Sequence, residues 1–323
     1  MDHSSPKTDL PTRRLGKSDL AISVVGLGCN NFGEPLDFDE TAAVLEQALA
    51  AGVTFFDTAD IYGEYGGSER LMGEALEGRR DELILASKFG MEMVGDRVPN
   101  HPRGSRDYIR WAVAGSLERL RTDRIDFYQY HEPDGRTPIA ETLRALAELI
   151  EEGVVGAIGC SNFDAGELEQ AERVAAAEGL PRFESVQNHY SLLERGIEGE
   201  VVPTCERLGI SVIPYFPLEN GLLTGKYKRG VAPPAGTRLA VEGSATEEQF
   251  DVVEALEAYA AARSLAPVEV AIGGLAAQPG VASVIAGATK PEQVRANVAA
   301  LRWSPSSEDL IELDRIAPTP RAR

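Results

Sequence analysis

Short apolar, β-branched and aromatic runs alternate along this chain with longer amphipathic stretches. The short runs are "VVGLG" (residues 24–28), "TFFDT" (from Thr54), "LILASK" (from Leu83), "IDFYQYH" (from Ile125), "VVGAIGC" (from Val154), "ESVQN" (from Glu184), "ISVIPY" (from Ile210) and "VASVIAG" (from Val281). Runs of this length and residue type predict buried strands. Between them, "DETAAVLEQALAAG", "SRDYIRWAVAGSLERLR", "IAETLRALAELIEEG" and "AGELEQAERVAAAEG" place apolar residues at helical spacing, the first with a glycine stop. "TEEQFDVVEALEAYAAAR" opens on a threonine cap with acidic residues in its first turn, and "KPEQVRANVAAL" has proline at its first helical position.

Strands alternating with helices eight times over predict a (β/α)8 barrel, a TIM barrel, as one domain over residues 1–323. A doubly wound open sheet also alternates. However, "GLGCNNFG" spaces its glycines wrongly for a dinucleotide fingerprint, and no helix starts directly after it. "RRLGKSDLAIS" precedes the first strand and reads as a β-hairpin plugging the barrel floor. Residues 217–243 form a long Gly- and Pro-rich loop after the seventh strand, and loops of that length are usually functional. "SSEDLIELDRIA" predicts one further helix, followed by a fraying tail.

Composition narrows the function classes. The chain has 323 residues, 43% of them hydrophobic and 26% charged, as in an ordinary globular protein. Its formal net charge is −19, from 51 acidic and 32 basic residues, which disfavours nucleic acid and anionic membranes as partners. Cys29, Cys160 and Cys205 are odd in number and form no CxxC pair, so neither a disulfide framework nor a zinc ribbon is indicated. The first residues carry no apolar signal-like run. The longest uncharged run, residues 271–289, is interrupted by Gln278 and Pro279 and reads as a buried helix, a turn and a buried strand. These features predict a soluble, cytoplasmic protein.

In such a barrel, chemistry sits at the C-terminal strand ends. Those ends carry Asp57 with Tyr62 on the next Gly-rich turn, then Lys88, His131, Ser161 with Asn162, Gln187 with Asn188, and Tyr215. A phenol has an ordinary pKa of about 10, so a proton-donating tyrosine is expected to be made more acidic by a nearby ammonium. Lys88 supplies that ammonium, Asp57 balances it, and His131 directs a hydrogen bond at a substrate oxygen. The set reads as a general-acid site for a carbonyl. Singly, Asp57 reads as a loop cap, Lys88 as a snorkelling strand end, Tyr62 as packing and His131 as structural. Their joint placement favours the site. "GATKP" lies just before a helix, where free N–H groups and the helix dipole favour a phosphate, and Lys290 adds a cation.

The blocks "FFDTADIYG", "ASKFG", "SLERLRTDRIDFYQYH", "GVVGAIGCSNF", "VQNHYSLLER", "GLLTGKY" and "GATKPEQVRAN" resemble those of the aldo-keto reductases, in order, from about Arg14 to Leu301. The resemblance implies reduction of an aldehyde or ketone, with NADPH oxidised to NADP+. It implies Tyr62 as proton donor, Lys88 and Asp57 as its tuners, and His131 as the group orienting the carbonyl. Ser161, Asn162 and Gln187 are implied to grip the carboxamide of the cofactor, and Tyr215 to stack on its nicotinamide. The stretch holding Phe216, Pro217, Leu218, Gly221 and Lys226 is implied to lie over the pyrophosphate. Gly287, Thr289, Lys290, Gln293 and Asn297 match the site for adenosine and its 2′-phosphate. Gly28 ends the first strand and Cys29 and Asn30 follow it; all three are expected to border cofactor or substrate, although Cys29 reads equally well as inert packing.

The chain departs from the common pattern at Phe216, where serine is usual, at Glu219 and Asn220, which replace a Gly-rich pair, and at Ala296, where glutamate often contacts adenine. The same family includes potassium-channel β-subunits, which hold NADPH and regulate a partner, so a regulatory protein with little turnover is the second reading. His3, His101, His131 and His189 form no HxH pair, which argues against a metal-dependent hydrolase. Substrate choice is expected to lie in residues 91–105, in residues 216–243 and in the C-terminal tail; Asp96, Arg97, His101 and Arg103 read either as contacts for a polar or anionic substrate or, more simply, as a solvated loop. The implied partner is a small-molecule carbonyl, with no oligomeric state indicated.

Overall fold

A computed structural model describes residues 10–94, 99–234, 236–237, 239–240 and 245–319. Eight parallel strands run in the order β10-β3-β4-β5-β6-β7-β8-β9. They are β3 (Val25–Gly28), β4 (Phe55–Asp57), β5 (Ile84–Phe89), β6 (Ile125–Tyr130), β7 (Val155–Ser161), β8 (Ser185–His189), β9 (Ser211–Tyr215) and β10 (Val284–Gly287). A bridge between Val212 and Val281 nearly closes the ring, with Val212 N–H donating to the Gly280 carbonyl at 2.8 Å. This is the (β/α)8 barrel expected from the alternation.

The hairpin is present as β1 (Thr12–Arg14) and β2 (Ala21–Ser23), antiparallel, with Arg13 opposite Ile22. Leu15 and Ile22 are fully buried and pack on Phe55, Phe127, Ile213, Ala282 and Ile285 inside the barrel. The apolar side chains of a hairpin too small for its own core thus close the floor.

The surrounding helices are α1 (Phe38–Ala50), α2 (Tyr62–Ala75), α3 (Arg106–Leu120), α4 (Ile139–Glu151), α5 (Ala165–Glu178), α6 (Val201–Leu208), α7 (Glu247–Ala262), α8 (Pro267–Ala276), α9 (Pro291–Ala299) and α10 (Ser307–Ile316). Asp37, Asp164 and Thr246 each accept from the N–H three residues on, in capping boxes with Glu40, Glu167 and Gln249. The uncharged run resolves into α8, a turn and β10, as its Pro-Gly interruption requires. Among the described residues no helix is long and apolar enough to cross a membrane. The tail is tied down as far as Thr319, which donates to Glu198, while Arg195 donates to the Ala317 carbonyl at 2.5 Å. The fraying expected beyond it concerns residues 320–323, which lie outside the described residues, as does His3.

Two helices depart from the expected pattern. The stretch after Tyr62 is not only a turn, because it opens α2. Its first turn is left-handed, with φ of +65° at Gly63, +54° at Glu64, +63° at Tyr65 and +100° at Gly66. A Cβ at Gly63 would meet the Phe32 carbonyl oxygen at 2.4 Å, and one at Gly66 the Arg119 side chain at 2.4 Å. The glycines that hid the helix are required by this turn and its close packing. Helix α6 is short and contains Pro203, which obscures its period.

Candidate active site

Side chains alternate along a strand, so each barrel strand sends every second residue inward. On β4, β5 and β6 the inward pairs are Phe55 then Asp57, Ala86 then Lys88, and Phe127 then Gln129; on β8 Gln187 follows Ser185. A polar layer therefore sits one step above an apolar one. Asp57, Lys88, Gln129 and Gln187 are at most 1% exposed.

Lys88 Nζ donates to Asp57 Oδ2 at 2.5 Å, to the Thr58 carbonyl at 2.8 Å and to Tyr62 Oη at 3.2 Å. Its ammonium also lies 4.8 Å from the Tyr62 ring centre. Asp57 Oδ1 accepts from Gln129 Nε2 at 2.9 Å and from Gln187 Nε2 at 3.0 Å. A buried ion pair needs such partners to offset its lost hydration. His131 stands edge-on to Tyr62, ring centres 5.8 Å apart. The structure thus brings the four predicted groups together.

Their electrostatics correct one expectation. Burial raises the pKa of Tyr62, Lys88 lowers it and Asp57 raises it, and the net shift is upward rather than toward acidity. Desolvation outweighs the ammonium. The phenol stays protonated across neutral pH, which is the form that donates. Lys88 is pushed down by burial but more than restored by Asp57 and Tyr62, so it remains a cation. Burial and then Lys88 hold His131 well below its ordinary value, so it is a neutral imidazole, with Nδ1 buried and without a hydrogen-bond partner among the described residues.

The next strand ends form a second polar group. Ser161 Oγ donates to the Gln187 carbonyl at 2.6 Å. Asn162, at φ +61°, donates from Nδ2 to the His131 carbonyl at 3.0 Å and to Ser161 Oγ at 3.2 Å, and accepts from Tyr215 Oη at 2.9 Å. Tyr215 stacks on His189, ring centres 5.4 Å apart, and Phe216 stands edge-on to both. Glu219 ties the following loop down: its Oε1 pairs with His189 Nε2 at 2.7 Å and accepts from Ser191 Oγ at 2.6 Å. Burial lowers His189, and Glu219 more than reverses this, leaving its pKa raised. Pro217 is buried and Leu218 half-buried. Lys226 is exposed and reaches back over Gly221, where an added Cβ would meet its Nζ at 2.5 Å.

At the rim, Gly28 pairs in register with Gly287, and Asn30 Oδ1 lies 3.6 Å from where a Cβ on Gly287 would be. Thr289 N–H donates to Gln293 Oε1 at 2.6 Å, and Lys290 is the exposed residue capping α9. Asn297 is only 4% exposed, yet its side-chain amide makes no hydrogen bond among the described residues. Cys29 does not join the rim. It is completely buried, its thiol on the Leu27 carbonyl and its N–H on Asp57 O, which is the packing alternative.

Reading strand ends alone missed Gln129, which lies two residues before His131 on the inward side. It also missed Glu69, fully buried, accepting from Ser87 Oγ at 2.5 Å and Arg119 Nε at 2.7 Å and so locking α2 against α3. The period-2 alternation through Phe127 was the signal for Gln129. Asp96 and Arg97 lie outside the described residues, as do residues 235, 238 and 241–244 of the long loop. Arg103 lies 3.9 Å from Glu132. No cluster of three or more His, Cys, Asp or Glu suited to a metal occurs among the described residues.

The sequence model of the Aldo/keto reductase family matches residues 24–318. The chain belongs to this family. It is 36% identical over 315 residues to the uncharacterized oxidoreductase YrpG of Bacillus subtilis (strain 168), covering 95% of each chain. It is 32% identical over 317 residues to the probable aldo-keto reductase 1 of Glycine max, covering 94% of this chain and 88% of the other. It is also 34% identical over 301 residues to a probable voltage-gated potassium channel subunit beta of Oryza sativa subsp. japonica, covering 90% of each. Membership of the aldo/keto reductase family makes the protein an oxidoreductase acting on carbonyls.

Proposed function

We propose that the protein reduces an aldehyde or ketone to an alcohol, with NADPH as hydride donor and Tyr62 as proton donor. The observation that carries this reading is the buried chain Asp57–Lys88–Tyr62, with contacts of 2.5 and 3.2 Å. Lys88 faces the phenolic oxygen, so it stabilises the negative charge that grows there as Tyr62 gives up its proton. Asp57 keeps Lys88 charged and oriented. Neutral His131, with Nδ1 enclosed, uses its other nitrogen to donate to the carbonyl oxygen beside Tyr62.

The cofactor supplies the hydride, and the residues present fit it. Asn297 offers an amide with no hydrogen bond among the described residues, Lys290 an exposed cation at a helix start, and Gly28 and Gly287 a rim without side chains. Ser161, Asn162 and Gln187 would hold the carboxamide and Tyr215 would face the nicotinamide. Phe216, Pro217, Leu218, Gly221 and Lys226 would cover the pyrophosphate. Thr289, Lys290, Gln293 and Asn297 would take the adenosine 2′-phosphate, favouring NADPH over NADH.

NADPH consumption with a panel of reactive aldehydes, native against Tyr62→Phe, tests the reading. Turnover by the native protein alone, with both proteins binding NADPH, supports it. The similarity to the rice channel subunit favours a second reading, an NADPH-binding regulatory protein. Tight NADPH binding by the native protein with no turnover would select it.

A further inference from the structure

Gln129 is fully buried between Asp57 and Gln187, and the proposed reaction does not yet use it. Its Nε2 donates to Asp57 Oδ1 at 2.9 Å, and its Oε1 accepts from Gln187 Nε2 at 3.2 Å. Gln187 Nε2 also donates to Asp57 Oδ1 at 3.0 Å. A carboxylate only accepts, so both amides turn their NH2 groups to Asp57. Gln129 Oε1 then takes the second N–H of Gln187. This closed ring of bonds leaves Gln187 Oε1 as the atom of that amide with no partner among the described residues. It also commits Asp57 Oδ1 to the amides and leaves Oδ2 for Lys88.

We infer that Gln129 is a positioning residue: it holds Gln187 with its carbonyl oxygen presented to an N–H donor on the cofactor, and it holds Asp57 against Lys88. The inference rests on the reductase reading and deepens it. A carboxamide satisfies the presented oxygen, whereas an acetyl group in its place does not. A glutamine that merely filled the barrel would leave this discrimination untouched.

The test is isothermal titration of NADP+ and of its 3-acetylpyridine analogue, in which a methyl replaces the carboxamide NH2. Native, Gln129→Met and Gln129→Glu proteins are compared, with melting curves to confirm folding. The native protein is expected to prefer NADP+ by about ten-fold, the worth of one hydrogen bond in a desolvated site. In Gln129→Met, Gln187 Nε2 keeps its bond to Asp57 Oδ1 but loses the second one, so its amide swings about the remaining bond, presents Oε1 less well, and the preference falls at least to about a third. The alkaline limb of its kcat profile moves up, because Asp57 with one donor fewer acts more strongly on Tyr62. In Gln129→Glu the carboxyl group accepts from Gln187 Nε2 in either protonation state, so the preference persists at every pH.

An unchanged preference and an unmoved alkaline limb in Gln129→Met overturn the inference, whatever happens to kcat. If that variant does not fold, loss of the preference in Gln129→Glu, which keeps the acceptor for Gln187, overturns it instead. A native protein that binds NADP+ without turnover defeats the reductase reading alone, and the binding preference still decides for Gln129. A native protein that binds neither nucleotide defeats both.

Discussion

At the barrel floor, Phe55, Ala86, Phe127 and Ile213 meet Leu15 and Ile22 of the hairpin. Two residues further along the same strands stand Asp57, Lys88, Gln129 and Tyr215. Asp57, Lys88 and Gln129 are as thoroughly buried as the floor. The floor is held by apolar contact, which is non-directional and tolerates swaps that conserve volume. The layer above it is held by directed bonds, in which the loss of one partner strands another in a water-poor interior. The barrel therefore keeps a charged, reactive layer rigid by setting it on an inert one.

Substitutions can break this contrast. The largest effect on activity is expected from Tyr62→Phe, a loss of about 10³-fold in kcat, in the range for removing a general acid, with NADPH affinity and melting temperature nearly unchanged. Steady-state rates beside cofactor titration check it. Lys88→Met should cost about 3–5 kcal/mol of stability as well as activity, because it leaves the Asp57 carboxylate buried without its cation. Denaturant unfolding measures the loss, and a second change, Asp57→Asn, should recover part of the stability but not the activity. In the floor, Phe127→Ala should cost about 3–4 kcal/mol through the cavity it leaves, while the folded fraction keeps its kcat. Equal losses of stability and kcat per folded molecule in Phe127→Ala would erase the distinction between the layers.

Smaller effects sharpen the picture at the rim and in pH. Lys290→Ala should raise the NADPH KM several-fold, about 1 kcal/mol as for an exposed charge contact, and leave the NADH KM unaltered. His131 is held below its unfolded value of about 6.5, so its contribution to stability is complete above that pH. As pH falls below it, the unfolded chain gains a proton that the folded one refuses. Stability then declines by up to about 1.4 kcal/mol per pH unit, a slope that His131→Gln should remove in urea titrations between pH 5 and 7.

Much of the site was legible because strand ends are readable. Asp57, Lys88 and His131 each close an apolar run, and the topology turns such ends to one face. Tyr62 was legible only through its glycines, and those same glycines concealed α2, whose left-handed first turn belongs to no helical pattern. Gln129 was passed over because nothing local distinguishes an inward glutamine from an outward one. The His189–Glu219 tether was equally hidden, since its partners lie 30 residues apart on a strand end and a loop.

The sequence by itself determined the alternation, the helix caps, the hairpin and the polar residues at the barrel mouth. These follow from local periodicity and from the chemistry of single positions. The tertiary structure alone decided the sign of the Tyr62 shift, the sealing of Cys29 away from the rim and the orientation of Gln187 by Gln129 and Asp57. Each of these depends on how far water is excluded and on which distant donor faces which acceptor, quantities that exist only once the strands have closed around one another.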